Sequence, residues 1–315
     1  MKKTLTPSKL ALISMVFGLL LVSALFAGCT QSTTSTPATT VATTVPVTTV
    51  ATPVATATTA VPTKVVTTAT PAPTYTATQG NLVAYTAASL SGASPAISSA
   101  FTAAYPPHKV VFNLDGTQAL KTQVEAGAYA DVFISASNAY TNTLKSENYF
   151  VNDSVKTLTT NYVIVILPAS NPANIKSLSD LAKPGVKIAM AAGTVPVGTA
   201  TAAVINNSAN SSYGQTWKTA VIKNVVTYET SEPSVATKVS LGEVDAGFVY
   251  QSTATAAAKG TYQSITIPKK DNYLQTYTIG ILKGSSNKAV AAEFEQFMLS
   301  SAGQQILAQY GFTSP

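Results

Sequence analysis

The chain has 315 residues, of which 46% are hydrophobic and only 10% are charged. That length corresponds to about two domains, and the charged fraction is less than half of the usual quarter. All 19 basic residues are Lys, and Cys and His occur once each; this excludes an internal disulfide, a multi-Cys or multi-His metal site and an Arg clamp on a phosphate or carboxylate.

The positive charge is concentrated near the N-terminus. The first 80 residues contain Lys2, Lys3, Lys9 and Lys64 and no Asp or Glu, which leaves 15 Lys against 13 acids in residues 81–315. The main body is therefore close to neutral. Nucleic-acid binding requires a concentrated basic face, so we expect no nucleic-acid partner.

The N-terminus has the pattern of a secretory signal. Three Lys residues precede an apolar run from Leu10 to Ala27, which is also nearly long enough to span a bilayer as a helix. The run ends at Leu25-Phe26-Ala27-Gly28-Cys29, which resembles a lipobox, where the signal is cleaved and the new N-terminal Cys is lipidated. Residues 1–29 are thus either a lipoprotein signal peptide ending at Cys29 or an uncleaved membrane helix. Either interpretation places residues 30–315 outside the cytoplasm and attached to the membrane.

Residues 30–80 form the next segment and are rich in Thr, Ala, Val and Pro. They have no helical period, and their frequent Pro residues interrupt any long strand. This composition is typical of a disordered stalk that acts as a spacer.

Residues 81–315 alternate between predicted strands and helices. The strands are predicted at 82–86, 108–114, 132–135, 162–167, 187–191, 225–228, 246–250, 264–267 and 277–282. The helices are predicted at 89–104 with Ser89 as N-cap, 117–128, 178–182, 197–206, 213–223, 233–241, 251–259, 287–299 and 302–309. Repeated strand–helix units indicate an α/β protein with largely parallel sheets, and about 235 residues suffice for two lobes.

Small and hydroxyl residues follow four of these strands. They include Ser89, Gly116-Thr117, the turn at 192–198 and the turn at 229–233. Each group precedes a predicted helix, whose free N–H groups and positive dipole end favour an anion. Ordinary N-capping explains such residues equally well, so these turns alone leave both interpretations open.

Several segments together resemble the extracytoplasmic molybdate-binding proteins of ABC importers. They are YTAASL at 85–90, QVEAGA at 123–128, ADVFISA at 130–136, VPVG at 195–198, LGEVDAGFVY at 241–250 and YGF at 310–312. The segments occur in the order and with the spacing of that family, over residues 81–313.

This resemblance implies a two-lobed periplasmic binding protein fold of type II with two hinge strands. Lobe one would comprise residues 81–163 and 272–315, and lobe two residues 164–271. The hinges would lie near 161–163 and 271–273.

The resemblance also implies an oxyanion site made of neutral donors. They are the Ser89 hydroxyl and N–H, the Thr117 hydroxyl, the Val197 and Glu232 N–H groups and the Tyr250 phenol. Thr117 and Glu232 stand where the family usually has Ser and an apolar residue. We expect the Glu232 carboxylate to point to water; the alternative, as in a related tungstate-binding family, is that it joins an expanded coordination of the metal. Asp115, two residues before Thr117, would cost energy if it faced the anion.

The implied function is capture of molybdate or tungstate for an ABC permease and its cytoplasmic ATPase. The protein would be a monomer anchored to the outer face of the membrane, would perform no bond chemistry, and would have neither cofactor nor cation site. The alternatives are the same fold binding another oxyanion such as sulfate, and a structural surface lipoprotein without a ligand.

Overall fold

The computed structural model describes residues 75, 76 and 80–315. The predicted signal peptide with Cys29 lies outside the described residues, as does the predicted stalk apart from residues 75, 76 and 80. Within the described part of the chain, no helix combines the length and the hydropathy needed to cross a membrane.

Nine strands are described in residues 80–315. They are β1 (Asn81–Ala87), β2 (Lys109–Asp115), β3 (Val132–Ser135), β4 (Lys156–Pro168), β5 (Ile188–Ala191), β6 (Val225–Glu229), β7 (Ala246–Tyr250), β8 (Tyr262–Thr266) and β9 (Leu274–Ile281). The strand order is β2-β1-β3-β9-β4-β7-β5-β6, and β8 pairs with β4. We call β1, β2, β3 and β9 the first half-sheet, and β5 to β8 the second half-sheet.

The helices lie between these strands and after the last one. They are α1 (Ser94–Ala104), α2 (Thr117–Glu125), α3 (Asn138–Ser146), α4 (Pro196–Ser208), α5 (Gly214–Lys223), α6 (Glu232–Ser240), α7 (Gln251–Ala256), α8 (Lys288–Leu299) and α9 (Ser301–Gln309). Short 3₁₀ turns at Ala88–Leu90 and Leu178–Ala182, and a π turn at Ala209–Tyr213, complete the list.

The sheet is mixed, which corrects the expectation of largely parallel pairing. β1 is parallel to β2 and β3, and β5 is parallel to β6 and β7. However, β9 is antiparallel to β3 and β4, and β4 is antiparallel to β7 and β8. These two long strands reverse direction because they return the chain from one half-sheet to the other.

β4 connects the two half-sheets. Residues 156–162 pair with β9, whereas residues 163–168 pair with β7 and β8. At the change of partner, the Asn272 side chain accepts a hydrogen bond from the Val163 N–H (3.2 Å) and donates one to the Val163 carbonyl (2.9 Å). The loop before β9 is thus fastened to β4 where the half-sheets meet.

One local prediction was wrong, and one helix was missed. Ser89 does not cap α1, because it lies in the 3₁₀ turn and the helix begins at Ser94. Pro95 stands in the first turn of α1, where its missing N–H and fixed φ are tolerated. α3 was not predicted, because this polar helix buries only Thr141 and Leu144 and gives no apolar period.

The strands contribute more residues to the buried hydrophobic core than the helices do. All four residues of β3 and of β5 are buried, which is typical of strands covered on both faces. On α1, Phe101 packs edge-on against Phe294 and Phe297 of α8. The candidate site lies at the carboxyl ends of these buried strands.

Candidate functional site

A small cavity lies where elements of the two half-sheets face each other. It is lined by Ala87, Ala88, Ser89, Gly116, Thr117, Ala136, Val195, Pro196, Val197, Glu232 and Tyr250. Its cavity volume is about 20 Å³, which is room for about one water molecule. All five residues predicted to bind an oxyanion line this one cavity; that they bind one stays a prediction.

Three helices begin at this cavity. Thr117 is the first residue of α2, Val197 the second of α4 and Glu232 the first of α6. The N–H groups of a first helical turn have no partner within the helix, and the helix dipole places partial positive charge there. Three such ends around one small space create a site that favours an anion.

The Thr117 hydroxyl is poised to donate. Its Oγ1 accepts a hydrogen bond from the Ala136 N–H at 3.1 Å, so its own proton is left for a ligand. Asp115 does not line the cavity. Its Oδ1 instead accepts a hydrogen bond from the Gly116 N–H at 2.7 Å. The Asp115 carboxylate is therefore held by the backbone of its own turn and does not oppose an anion in the cavity.

The Ser89 hydroxyl has a partner that sequence reasoning missed. Its Oγ lies 2.8 Å from the Tyr277 Oη on β9. Burial is the main cause that raises the pKa of Tyr277 well above its ordinary value, so this phenol stays neutral and retains its proton. Tyr277 therefore fixes the orientation of Ser89 from behind the cavity.

The Tyr250 phenol is also buried and already has a partner. Its Oη donates to the Gln275 Oε1 at 3.1 Å, and burial raises its pKa well above the ordinary value. A phenol has one proton. Tyr250 can therefore donate to a ligand only by releasing or sharing its bond to Gln275.

Glu232 departs from expectation, because its carboxylate does not point to water. The residue is 4% exposed, and its Oε1 accepts from the Tyr250 N–H and from the Thr253 Oγ1, both at 2.7 Å. The carboxyl thus caps the start of α7. Burial raises its pKa to about 7, and these two hydrogen bonds oppose the rise.

The raised pKa of Glu232 predicts how stability depends on pH. The Glu232 carboxyl holds its proton more tightly in the folded state than in the unfolded chain. The neutral carboxyl therefore contributes its full share to the free energy of unfolding below the ordinary pKa of 4.5, and this contribution is lost as pH rises to about 7. We expect the ligand-free protein to lose on the order of 2–3 kcal/mol across this window. Urea unfolding at pH 5 and pH 8 measures it. Glu232→Gln should remove this loss, whereas Glu243→Gln, at an exposed acid, should retain it.

Two side chains cross from the first half-sheet's helices to the second half-sheet's turns. The Tyr140 Oη on α3 donates to the Thr194 carbonyl at 2.6 Å, and the Gln118 Nε2 on α2 donates to the Thr230 carbonyl at 3.0 Å. Neither Tyr140 nor Gln118 lines the cavity. The two bonds therefore join the facing elements without occupying the cavity.

Loss of both cross-cleft bonds should weaken ligand binding moderately. Each hydrogen bond contributes about 0.5–1.5 kcal/mol, so the loss of both in Tyr140→Phe with Gln118→Ala should raise the Kd roughly 5- to 150-fold. Stopped-flow displacement should show this as faster ligand release. Thr143→Ala on the same helix, whose hydroxyl bonds only to the Ala139 carbonyl, should leave the rate unchanged; equal rates in all three proteins would contradict the prediction.

No Lys or His side chain lines the cavity. Among the described residues, His, Cys, Asp and Glu nowhere gather in a group of three that could hold a metal ion. The site therefore offers an anion hydrogen-bond donors and helix dipoles, but no countercharge.

Comparison with known proteins identifies the family. The family model described as bacterial extracellular solute-binding protein matches residues 82–313. The chain belongs to this family. Among curated relatives, the molybdate-binding protein ModA of Mycobacterium tuberculosis is 32% identical over 240 residues, which cover 76% of this chain and 87% of the relative.

Solved structures give the same assignment of this solute-binding protein. The substrate-binding domain of a putative molybdenum ABC transporter from Clostridium difficile superposes with a TM-score of 0.58 at 28% identity, covering 75% of this chain and 99% of that one. The sulfate-binding protein SubI of Mycobacterium tuberculosis gives a TM-score of 0.65 at 18% identity, covering 74% and 86%; this likeness shows the fold alone. The predicted two-lobed binding-protein fold is confirmed, and so is the resemblance to the molybdate-binding proteins of ABC importers.

Proposed function

We propose that this solute-binding protein captures molybdate in the cavity and delivers it to an ABC importer. The observation that carries the proposal is the convergence of three helix N-termini and three hydroxyl side chains on one cavity without a basic side chain. The relatives named for molybdate and molybdenum transport support the choice of ion. The ligand is cargo, so it is not a cofactor and no bond chemistry is involved.

The proposed donors are the Ser89, Thr117 and Tyr250 hydroxyls and the N–H groups of Ser89, Val197 and Glu232. Molybdate is fully deprotonated at neutral pH, so it accepts hydrogen bonds at every oxygen. Hydrogen bonds to a charged group contribute roughly 1.5–3 kcal/mol each. After the costs of desolvation and closure, five to seven of them leave about −9 to −12 kcal/mol, or sub-micromolar to nanomolar affinity.

The remaining parts of the proposal concern lobes and partners. Lobe one would comprise residues 81–163 and 272–315 and lobe two residues 164–271, moving about the junction where Asn272 holds Val163. Closure around the ion would prepare docking to the permease, which a cytoplasmic ATPase drives. Tungstate would bind as well, and lipidated Cys29 would anchor a monomer to the outer face of the membrane.

Calorimetry with molybdate, tungstate, sulfate and phosphate tests the proposal on the full chain in detergent. We expect heat with molybdate and tungstate at micromolar protein. Binding of sulfate alone would favour the second candidate, for which the fold of SubI is the supporting observation. No heat with any of the four ions would contradict ion capture and leave a structural surface protein.

A further inference from the structure

One ionisable side chain stands among the neutral donors of the cavity. Glu232 lines the cavity and is nearly fully buried. Its Oε1 is occupied by the Tyr250 N–H and the Thr253 hydroxyl. A buried carboxylate beside a dianion would add repulsion in a place that water screens poorly.

The groups around Glu232 provide no positive charge to compensate. Tyr250 from β7 and Tyr277 from β9 face it, and burial keeps both phenols neutral. The 3₁₀ turn at Ala88–Leu90 and β5 pack against α6 and carry no ionisable side chain.

The other elements packed against α6 hold their charges elsewhere. On β6, Tyr228 is exposed, and Glu229 lies 3.9 Å from Lys238, which also pairs with Glu243. On β4, Lys156 is exposed and Tyr162 lies in the part that pairs with β9. Burial, opposed only by the two hydrogen bonds to Oε1, therefore decides the charge of Glu232.

We propose that Glu232 is a proton-linked affinity residue: its carboxyl is neutral when a dianion occupies the cavity, so capture takes up a proton from solvent whenever the carboxyl is ionised in the free protein. The inference rests on the proposed function and extends it to the side chain. In its neutral form the carboxyl keeps an oxygen for the Tyr250 N–H and replaces a negative charge with an O–H donor. In its ionised form it opposes a second negative ion in the same space.

The free protein is balanced between these forms near neutral pH, because burial raises the pKa of Glu232 to about 7. A neighbouring dianion raises the pKa further. If only the neutral form accepts the ion, the Kd for molybdate rises about 25-fold between pH 6.5 and pH 8.5. Binding then takes up about 0.1 proton per ion at pH 6 and about 0.9 at pH 8.

Calorimetry of the full chain with molybdate, in pairs of buffers that differ in ionisation enthalpy, measures both quantities. In Glu232→Gln, which keeps an oxygen for the Tyr250 N–H, we expect the Kd to vary less than about twofold over the same range, with no proton uptake. Glu295→Gln is the matched control. Burial also raises the pKa of Glu295, but it lies on α8 and does not line the cavity, so this variant should keep the wild-type pH dependence.

The outcomes separate the two proposals. Molybdate binding with a constant Kd and no proton uptake in the wild-type protein would overturn the role of Glu232 and leave ion capture intact. Wild-type pH dependence in Glu232→Gln would overturn it as well. Absence of heat at every pH would instead contradict the proposed function. Should Glu232→Gln fail to melt cooperatively, the proton count of the wild-type protein and of Glu295→Gln decides alone.

Discussion

Replacing Ser89 with Ala and Tyr250 with Phe in one protein should weaken molybdate binding by about 2–5 kcal/mol, or roughly 30- to 5,000-fold in Kd. Both hydroxyls belong to residues that line the cavity, and each would donate to a charged oxygen. The substitutions remove both hydroxyl donors and put no other donor in their place. Calorimetry measures the effect.

The double substitution also removes two hydrogen bonds within the protein. Ser89 loses its bond to the Tyr277 Oη, and Tyr250 its bond to the Gln275 Oε1. The matched control is Ser98→Ala with Tyr262→Phe, which removes two hydroxyls that do not line the cavity. In the unchanged protein, the Ser98 hydroxyl donates to the Val110 carbonyl and the Tyr262 hydroxyl donates to the Ala236 carbonyl. Affinity should fall only in the first protein. Equal affinity in both would show that the ion binds elsewhere.

The sequence was sufficient to predict most elements of the fold, because strands and amphipathic helices have their own periods. β3 and β7 begin and end at the predicted residues. The errors arose where tertiary contacts replace local pattern. β4 is about twice as long as predicted, since residues 156–161 gain their order by pairing with β9. α3 is polar and is held by its Ser137 cap, whose Oγ accepts from the Tyr140 N–H.

The residues that line the cavity were predictable, but the hydrogen bonds among them and their neighbours were not. The family resemblance named Ser89, Thr117 and Val197, and all three residues line the same cavity. The partners behind them come from a distant strand, and nothing local in the sequence links Tyr277 to Ser89. The Glu232 side chain was placed wrongly for the same reason: its partner, the start of α7, lies 18 residues along the chain.

Gly198 lies at the end of the turn at 192–198, where α4 begins against the end of β5. A Cβ atom at this position would lie 2.1 Å from the Ala192 carbonyl oxygen and 2.6 Å from that of Ala191. Both obstacles are backbone atoms, so no side chain can rotate away. Only glycine lets α4 begin this close to the end of β5, and Val197, one residue earlier, lines the cavity.

Gly198→Ala should therefore destabilise the protein by about 3 kcal/mol and displace the start of α4. Molybdate affinity should also fall under conditions where the variant is still fully folded, because the displaced Val197 N–H no longer reaches the ion. Urea unfolding and calorimetry measure the two effects. Gly193→Ala is the matched control in the same turn, since a Cβ atom there meets nothing within 4 Å. If Gly198→Ala unfolds and binds like Gly193→Ala, the approach of α4 to this turn does not form the site.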